Sequence, residues 1–312
     1  MNATEPPATD RFVVRHAQGR DGLDIAYLRE GEGGFPLVLL HGWPETKRIW
    51  WRNVEPLAAT GFEVIVPDLR GFGDSGLAPD GFYDPATHAG DVYALVHDVL
   101  GHDRCATAGG DVGGVVSQDL ALRFEGFVVR QCLFNTVPPI IPDDYAAAGI
   151  PPEVPRDVRM AADYFVRQGR EADALAAELD TPEKRRRYIG QFYGSRFWAA
   201  PGTFRPADVD FMTEPFADAG KLRAGFGIYE TALGARPAAE APRLFERSSV
   251  PTLLLYGPED HVIPRDFPAR CEVAFTERVG PFVVQSAGHY LQWERADLLN
   301  QSLVYFFADL RG

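Results

Sequence analysis

The sequence Gly109-Gly110-Asp111-Val112-Gly113 constrains the fold of this chain more than any other stretch. A short apolar run, residues 105–108, precedes it, and a helix-like segment, residues 115–124, follows it. A polar residue between glycines at a strand-to-helix turn is the layout of a nucleophile elbow. The glycines are needed because a neighbouring Cβ would collide with the backbone that crosses such a strained turn. The sequence therefore predicts Asp111 at the apex, where serine is more usual.

Apolar runs that suit buried strands alternate with helical patterns on both sides of this turn. The predicted strands are residues 12–16, 23–28, 37–40, 62–66, 105–108, 128–134, 250–256 and 282–285. Helical patterns at residues 45–60 and 87–100 separate the strands of the first half, and a closing helix is predicted at residues 291–310. This alternation predicts an α/β fold with a mostly parallel sheet that is covered on both faces.

A different pattern interrupts the sheet after its sixth predicted strand. Prolines and amphipathic helical stretches, such as residues 157–168 and 172–179, replace the strand pattern there. We therefore predict a first part of the core over residues 1–137, an inserted helical cap over 138–237, and a second part of the core over 238–312.

Composition limits which binding partners and which cellular compartment are expected for this protein. The net charge of −13 disfavours nucleic acid and anionic membranes, because phosphate binding needs clustered lysine and arginine. The N-terminus lacks the pattern of a signal peptide, and no apolar run reaches the roughly 18 residues of a membrane span. The three unclustered cysteines favour reduced thiols over a disulfide framework or a zinc site. We expect a cytoplasmic protein with a small, uncharged substrate, and leave open whether it forms a homodimer.

Two further polar residues follow predicted strands in the second part of the core. Asp260 lies in the loop after residues 253–256, and His289 lies in the loop after residues 282–285. Each residue alone is more often a turn residue, a loop residue or a buried core histidine. The order Asp111, Asp260, His289, each after a buried strand, is the order of a nucleophile, acid and histidine triad.

The third predicted strand ends at His41-Gly42-Trp43, where folds of this layout place a backbone oxyanion donor. We expect the N–H groups of Trp43 and Val112 to form the oxyanion hole, and His41 to brace the loop without a catalytic role. Residues 71–76 match G-x-G-x-x-G, but no helical pattern follows them, so a dinucleotide site is not predicted. No metal or organic cofactor is implied.

Together, these stretches resemble the α/β-hydrolase-fold epoxide hydrolases and the related haloalkane dehalogenases. The resemblance covers residues 35–137 and 245–310, and its motifs are His41-Gly42-Trp43-Pro44-Glu45, residues 68–75, the aspartate elbow, residues 257–264 and residues 288–294. It implies the α/β-hydrolase fold.

An aspartate nucleophile restricts the reaction. A carboxylate with a free pKa of about 3.9 is ionised at neutral pH and needs no base to attack. Attack on an acyl carbon would form a reactive anhydride, whereas attack on a saturated carbon forms an ordinary ester. Asp111 therefore indicates alkyl transfer, followed by ester hydrolysis with His289 as general base and Asp260 as its partner.

The leaving group distinguishes the two families. In dehalogenases, N–H donors such as a tryptophan directly after the nucleophile hold the halide, and Val112 removes this donor. In epoxide hydrolases, two cap tyrosines usually activate the epoxide oxygen. The resemblance assigns these roles to Tyr229 and Tyr164, with Tyr193 as the alternative to Tyr164. For Tyr164 there is an alternative of nearly equal weight, in which its ring only packs a cap helix.

We therefore expect hydrolysis of a small apolar epoxide to a vicinal diol, with Tyr193, Trp198 and Phe226 lining the substrate pocket. The alternative within the same chemistry is a haloalkane dehalogenase. The alternative of another class is a non-catalytic protein that binds a small ligand on the hydrolase fold.

Overall fold

The computed structural model describes residues 7–152 and 164–311, and the strands within them form one eight-stranded sheet. Its order is β1-β2-β4-β3-β5-β6-β7-β8. Strand β2 runs antiparallel to β1 and β4, and the remaining neighbours are parallel. The strands are β1 Arg15–Gln18, β2 Asp24–Glu30, β3 Phe35–Leu40, β4 Phe62–Pro67, β5 Cys105–Gly110, β6 Val128–Phe134, β7 Thr252–Tyr256 and β8 Arg278–Val283. The predicted α/β fold with a mostly parallel sheet is confirmed.

Helices cover the sheet and fill the long connection between β6 and β7. Those outside this connection are Val54–Ala58, Pro85–Tyr93, Asp111–Arg123, Phe267–Ala274, Leu291–Glu294 and Ala296–Phe306. Those within it are Pro142–Ala147, Tyr164–Arg170, Ala172–Glu178, Pro182–Gly194, Pro206–Thr213, Ala219–Gly225 and Gly227–Ala232. We call the connection between β6 and β7 the cap region. Residues 157–163 of the predicted cap helix lie outside the described residues.

The register of the central strands brings the loops at their carboxyl ends together. Leu40 at the end of β3 pairs with Gly109 of β5, and Gly110 pairs with Phe134 at the end of β6. Strands β3 and β5 are buried along almost their whole length, which accounts for their apolar sequences, whereas β6 carries the partly buried Arg130 before its buried end. Because parallel strands end at the same edge, the loops after β3, β5 and β7 meet there.

The predicted helix over residues 45–60 is wrong as a single element. The chain forms a 3₁₀ turn at Lys47–Trp50 and then the short helix Val54–Ala58. Pro56 explains the break, because proline has no N–H for a helical hydrogen bond and is tolerated only in the first turn. The predicted closing helix is likewise divided, since Arg295 leaves helical geometry between Leu291–Glu294 and Ala296–Phe306.

The two outermost strands are shifted from their predicted positions. Strand β1 begins at Arg15, because the ring of Phe12 packs edge-on against Trp51 at 4.9 Å and takes no part in the strand. Strand β8 begins at Arg278 and lies at the edge of the sheet, where its residues are mostly exposed. A half-exposed edge strand lacks the continuous apolar run that marks a central strand.

All three cysteines fall within the described residues and are buried and unpaired, as predicted. In the described ranges, 7–152 and 164–311, no helix is long and apolar enough to cross a membrane.

Candidate active site

Asp111 occupies the apex of the turn between β5 and the helix Asp111–Arg123, with a left-handed φ of 46°. A Cβ on Gly113 would come within 2.3 Å of the Leu40 carbonyl oxygen, and one on Gly109 within 2.6 Å of the Gly113 backbone. Both positions therefore require glycine. The turn places Asp111 as the sequence predicted, and its side chain is 14% exposed, whereas the other acidic and basic groups of the site are enclosed.

Two backbone N–H groups bind the Asp111 carboxylate. The N–H of Trp43 donates to Oδ1 at 2.8 Å, and the N–H of Val112 also hydrogen-bonds to the carboxylate. These are the two donors that the sequence predicted for an oxyanion hole. The same pair is suited to hold the oxygen of an ester formed on Asp111.

His289 lies between two carboxylates. Its Nδ1 is 2.8 Å from Oδ2 of Asp260, and its Nε2 is 3.4 Å from Oδ2 of Asp111. Asp260 is held in turn by its Oδ1, which accepts from the N–H groups of Val262 and Ile263. The structure thus brings together the three residues that the sequence placed after separate strands.

This arrangement favours an ion pair in the resting site. Burial alone would raise the pKa of Asp111, but His289 and the N–H groups of Trp43 and Val112 outweigh it and lower that pKa. Burial alone would lower the pKa of His289, but the charges of Asp260 and Asp111 raise it well above its ordinary value. Both directions favour an ionised carboxylate beside a protonated imidazole.

Aromatic rings from the cap region surround the side chain of Trp43. Tyr164 stacks on Trp43 with ring centroids 5.4 Å apart, and Tyr229 meets it edge-on at 5.3 Å. The two tyrosine rings are 5.8 Å apart. Trp198 completes the group, 5.0 Å from Tyr164 and edge-on to the imidazole of His289 at 4.7 Å. Three cap residues that the sequence predicted for the site therefore lie beside His289 and beside residues 41–45, which we call the oxyanion loop.

The other two predicted pocket residues have different surroundings. The Tyr193 hydroxyl donates to the carbonyl of Pro44, and its ring stacks on Tyr290 at 4.8 Å. Burial, with the charge of Glu45, raises the pKa of Tyr193 well above its ordinary value. Phe226 is fully buried, and its ring lies 6.4 Å from Tyr188. These contacts support the cap and the oxyanion loop.

His41 braces the oxyanion loop. Its Nε2 accepts from the N–H of Leu69 at 2.9 Å, which leaves Nδ1 to donate to the carbonyl of Gly42 at 2.9 Å. Burial lowers the pKa of His41. Both ring nitrogens are occupied in holding backbone, in keeping with the role expected from the sequence.

Sequence reasoning missed Asn135, which follows β6 and joins the triad loops. Its φ is 42°, and its carbonyl accepts from the N–H of Asp111 at 2.9 Å. Its side chain accepts from Gly257 N–H at 2.8 Å and donates to the Gly288 carbonyl at 2.5 Å. An asparagine directly after a buried strand was the available signal, because asparagine tolerates left-handed geometry.

Two carboxylates beside the triad, the buried Glu45 and the partly buried Glu294, were also missed. Glu45 accepts from Gly42 N–H at 2.7 Å and from the Gln292 amide at 3.1 Å, and burial raises its pKa to about 7. Glu294 accepts from the N–H groups of Gly288, Ala200 and Tyr290, and burial likewise raises its pKa to about 7. Both residues stand inside the motifs of the resemblance, but only the fold shows which backbone N–H groups they bind.

Comparisons with known proteins agree with this geometry. The model of the alpha/beta hydrolase fold family matches residues 36–296, so the chain belongs to that family. The chain is 30% identical over 302 residues to the soluble epoxide hydrolase of Corynebacterium sp., covering 96% of this chain and 99% of the relative. It is 27% identical over 319 residues to epoxide hydrolase A of Mycobacterium tuberculosis, covering 93% and 96%.

Among solved structures, the epoxide hydrolase CorEH without ligand superposes with a TM-score of 0.82 at 27% identity. That match covers 96% of this chain and 100% of the other. The resemblance to epoxide hydrolases that the sequence predicted is confirmed.

Proposed function

We propose that this chain is an epoxide hydrolase that converts a small apolar epoxide to a vicinal diol through an ester on Asp111. The observation that carries the proposal is the aspartate at the elbow, held by two N–H groups and paired with His289. The named relatives support the same activity.

In the first step, a carboxylate oxygen of Asp111 attacks an epoxide carbon, and the bond between that carbon and the epoxide oxygen breaks. The released alkoxide is a strong base and takes a proton from Tyr164 or Tyr229. Support for these two tyrosines comes from their rings, which both contact Trp43, the residue whose N–H binds Asp111. Tyr193 is less suited to the role, since its hydroxyl donates to Pro44.

Ester formation changes the charge around His289. Asp111 loses its negative charge when it is alkylated, and that charge is one of the two that raise the pKa of His289. The imidazolium then releases its proton, which restores the tyrosine through solvent. A neutral imidazole beside the ester is the state that general base catalysis requires.

In the second step, His289 removes a proton from water, and the hydroxide attacks the ester carbonyl. The N–H groups of Trp43 and Val112 bind the oxyanion of the tetrahedral intermediate. Collapse of the intermediate releases the diol, whose oxygen takes the carboxyl proton. The site returns to an aspartate, an imidazolium and a neutral tyrosine, so protons and charges balance over the cycle.

We also propose a cytoplasmic location, supported by three buried and unpaired cysteines that suit a reducing compartment. The net charge of −13 is unfavourable for a nucleic-acid partner.

Trapping of the ester tests the function. In the variant His289→Gln, a styrene-type epoxide should add its full mass to Asp111, as read by intact mass and peptide mapping. His97→Gln changes a partly exposed histidine outside the triad and serves as the matched control, which should turn over without trapping. Halide release and trapping with haloalkanes, without any epoxide adduct, would replace the proposal with a dehalogenase. No adduct from either class on a folded variant would favour a binding protein.

A further inference from the structure

Residues 195–204 of the cap region lie against the loop that carries the catalytic histidine, residues 286–290, which we call the histidine loop. The Trp198 carbonyl accepts from the N–H of His289 at 2.7 Å. The Phe197 carbonyl accepts from the N–H of His261, the residue after Asp260, at 3.0 Å. This one cap segment therefore holds backbone on both triad loops of the second half of the chain.

The two backbones are in close contact. A Cβ on Gly288 would lie 2.5 Å from the Trp198 carbonyl oxygen and 2.6 Å from the Ala200 nitrogen. Real Cβ atoms do not approach backbone so closely, so any side chain at position 288 would move the cap segment away from the histidine loop.

Glu294 joins the same two segments with its carboxylate. Its Oε2 accepts from Gly288 N–H at 2.8 Å and from Ala200 N–H at 2.9 Å, and its Oε1 accepts from Tyr290 N–H at 3.0 Å. Two of these donors belong to the histidine loop and one to the cap segment. Burial raises the pKa of Glu294 to about 7, and above that pH the carboxylate suits the position because it accepts at both oxygens and donates at neither.

The joined segment bears directly on the imidazole. The Trp198 ring stands edge-on to His289 at 4.7 Å, and its other neighbours include Tyr164 at 5.0 Å. A shift of residues 195–204 would move this ring and remove the hydrogen bond that fixes the His289 backbone. By contrast, the Asp111 carboxylate accepts from the N–H groups of Trp43 and Val112, and neither residue is among the three that donate to Glu294.

We infer that Glu294 is a positioning residue that fastens residues 195–204 to the histidine loop and so orients His289 for hydrolysis of the ester. The inference rests on the proposed function, because it assigns Glu294 to the second of its two steps. Formation of the ester uses the Asp111 carboxylate, whose N–H donors Trp43 and Val112 stay in place, so we expect it to be affected less.

The test is single-turnover kinetics with a styrene-type epoxide, resolving ester formation from ester decay. In Glu294→Gln, one acceptor oxygen is replaced by an NH₂ group that faces N–H donors. We expect ester decay to slow by about tenfold or more, and ester formation to change by less than about threefold. Glu272→Gln, on the exposed side of helix Phe267–Ala274, is the matched control and should alter neither rate.

Gly288→Ala separates the same segments while Glu294 keeps its carboxylate, and it should give the same unequal loss, which keeps the test valid if Glu294→Gln does not fold. Equal slowing of both steps, or no slowing in a folded variant, would overturn the positioning role. Failure of the proposed function looks different, since the wild-type protein would then form no ester on Asp111.

Discussion

The triad and the cap tyrosines are positioned by different kinds of structure. Asp111, Asp260 and His289 stand on loops at strand ends, and each side chain is held by hydrogen bonds to backbone or to another triad member. Tyr164 and Tyr229 instead come from short helices between β6 and β7 and meet at the ring of Trp43. Strand order therefore positions the proposed nucleophile and base, whereas aromatic packing positions the two tyrosines that we propose as proton donors to the epoxide oxygen.

The largest effect is expected at the nucleophile. Asparagine tolerates the left-handed geometry of position 111 but carries no negative charge, so Asp111→Asn should fold and fail to attack. We expect turnover of epoxides to fall by about 10⁴-fold or more, by comparison with removal of other covalent nucleophiles. Steady-state assays measure the loss, and thermal melting checks the fold. Retention of more than a few per cent of activity in a folded variant would contradict the role of Asp111 as the nucleophile.

Replacing either cap tyrosine should have a smaller effect than Asp111→Asn, and the effect should be limited to opening of the epoxide ring. Tyr164→Phe and Tyr229→Phe should each slow ester formation by about tenfold to a hundredfold, because general acids typically contribute ~10²- to 10⁴-fold and two groups share the task. Rapid-quench kinetics on single turnovers separate this step from ester decay.

Tyr193→Phe is the matched control for both tyrosines. Its hydroxyl donates to Pro44, so its loss should cost about 1 kcal/mol of stability and leave ester formation nearly unchanged. If Tyr193→Phe slows ring opening as much as Tyr164→Phe does, the assignment of the two cap tyrosines is wrong.

The rates of ester formation and ester decay should depend differently on pH. The pKa of Asp111 is lowered, so ester formation should persist as the pH falls. Ester decay needs neutral His289, whose pKa drops once Asp111 is alkylated, so its rate should rise with pH through the pKa of the ester form. Mixing at low pH should therefore accumulate ester. Parallel pH profiles for the two rates would contradict the assignment of His289 as the base of the second step.

The sequence predicted the central strands and the triad because both are local signals in a fixed chain order. Apolar runs mark most of β3 to β7, although β6 also carries Arg130 and Gln131. Asp111 and Asp260 follow β5 and β7, whereas His289 follows the mostly exposed edge strand β8. The edge strands were shifted, since β8 is half exposed and Phe12 packs on Trp51 outside the sheet. The boundaries at residues 137 and 237 stay a prediction.

Asn135 and Glu294 show what local signals leave out. Each joins backbone groups that are distant in the chain, such as Asp111 with Gly288 or Ala200 with Tyr290. No spacing rule anticipates such pairs, because they depend on how the strands are ordered and how the cap region meets the core.

The most direct test of the proposed ester on Asp111 is a single turnover in ¹⁸O-labelled water with enzyme in excess over epoxide. If water attacks the ester carbonyl, the label enters the Asp111 carboxylate and the first diol is unlabelled, since its second oxygen comes from Asp111. Mass spectrometry of the diol and of the peptide containing Asp111 reads both products. Label in the diol of the first turnover, with none in Asp111, would show that water attacks a saturated carbon of the substrate and would contradict hydrolysis at the ester carbonyl.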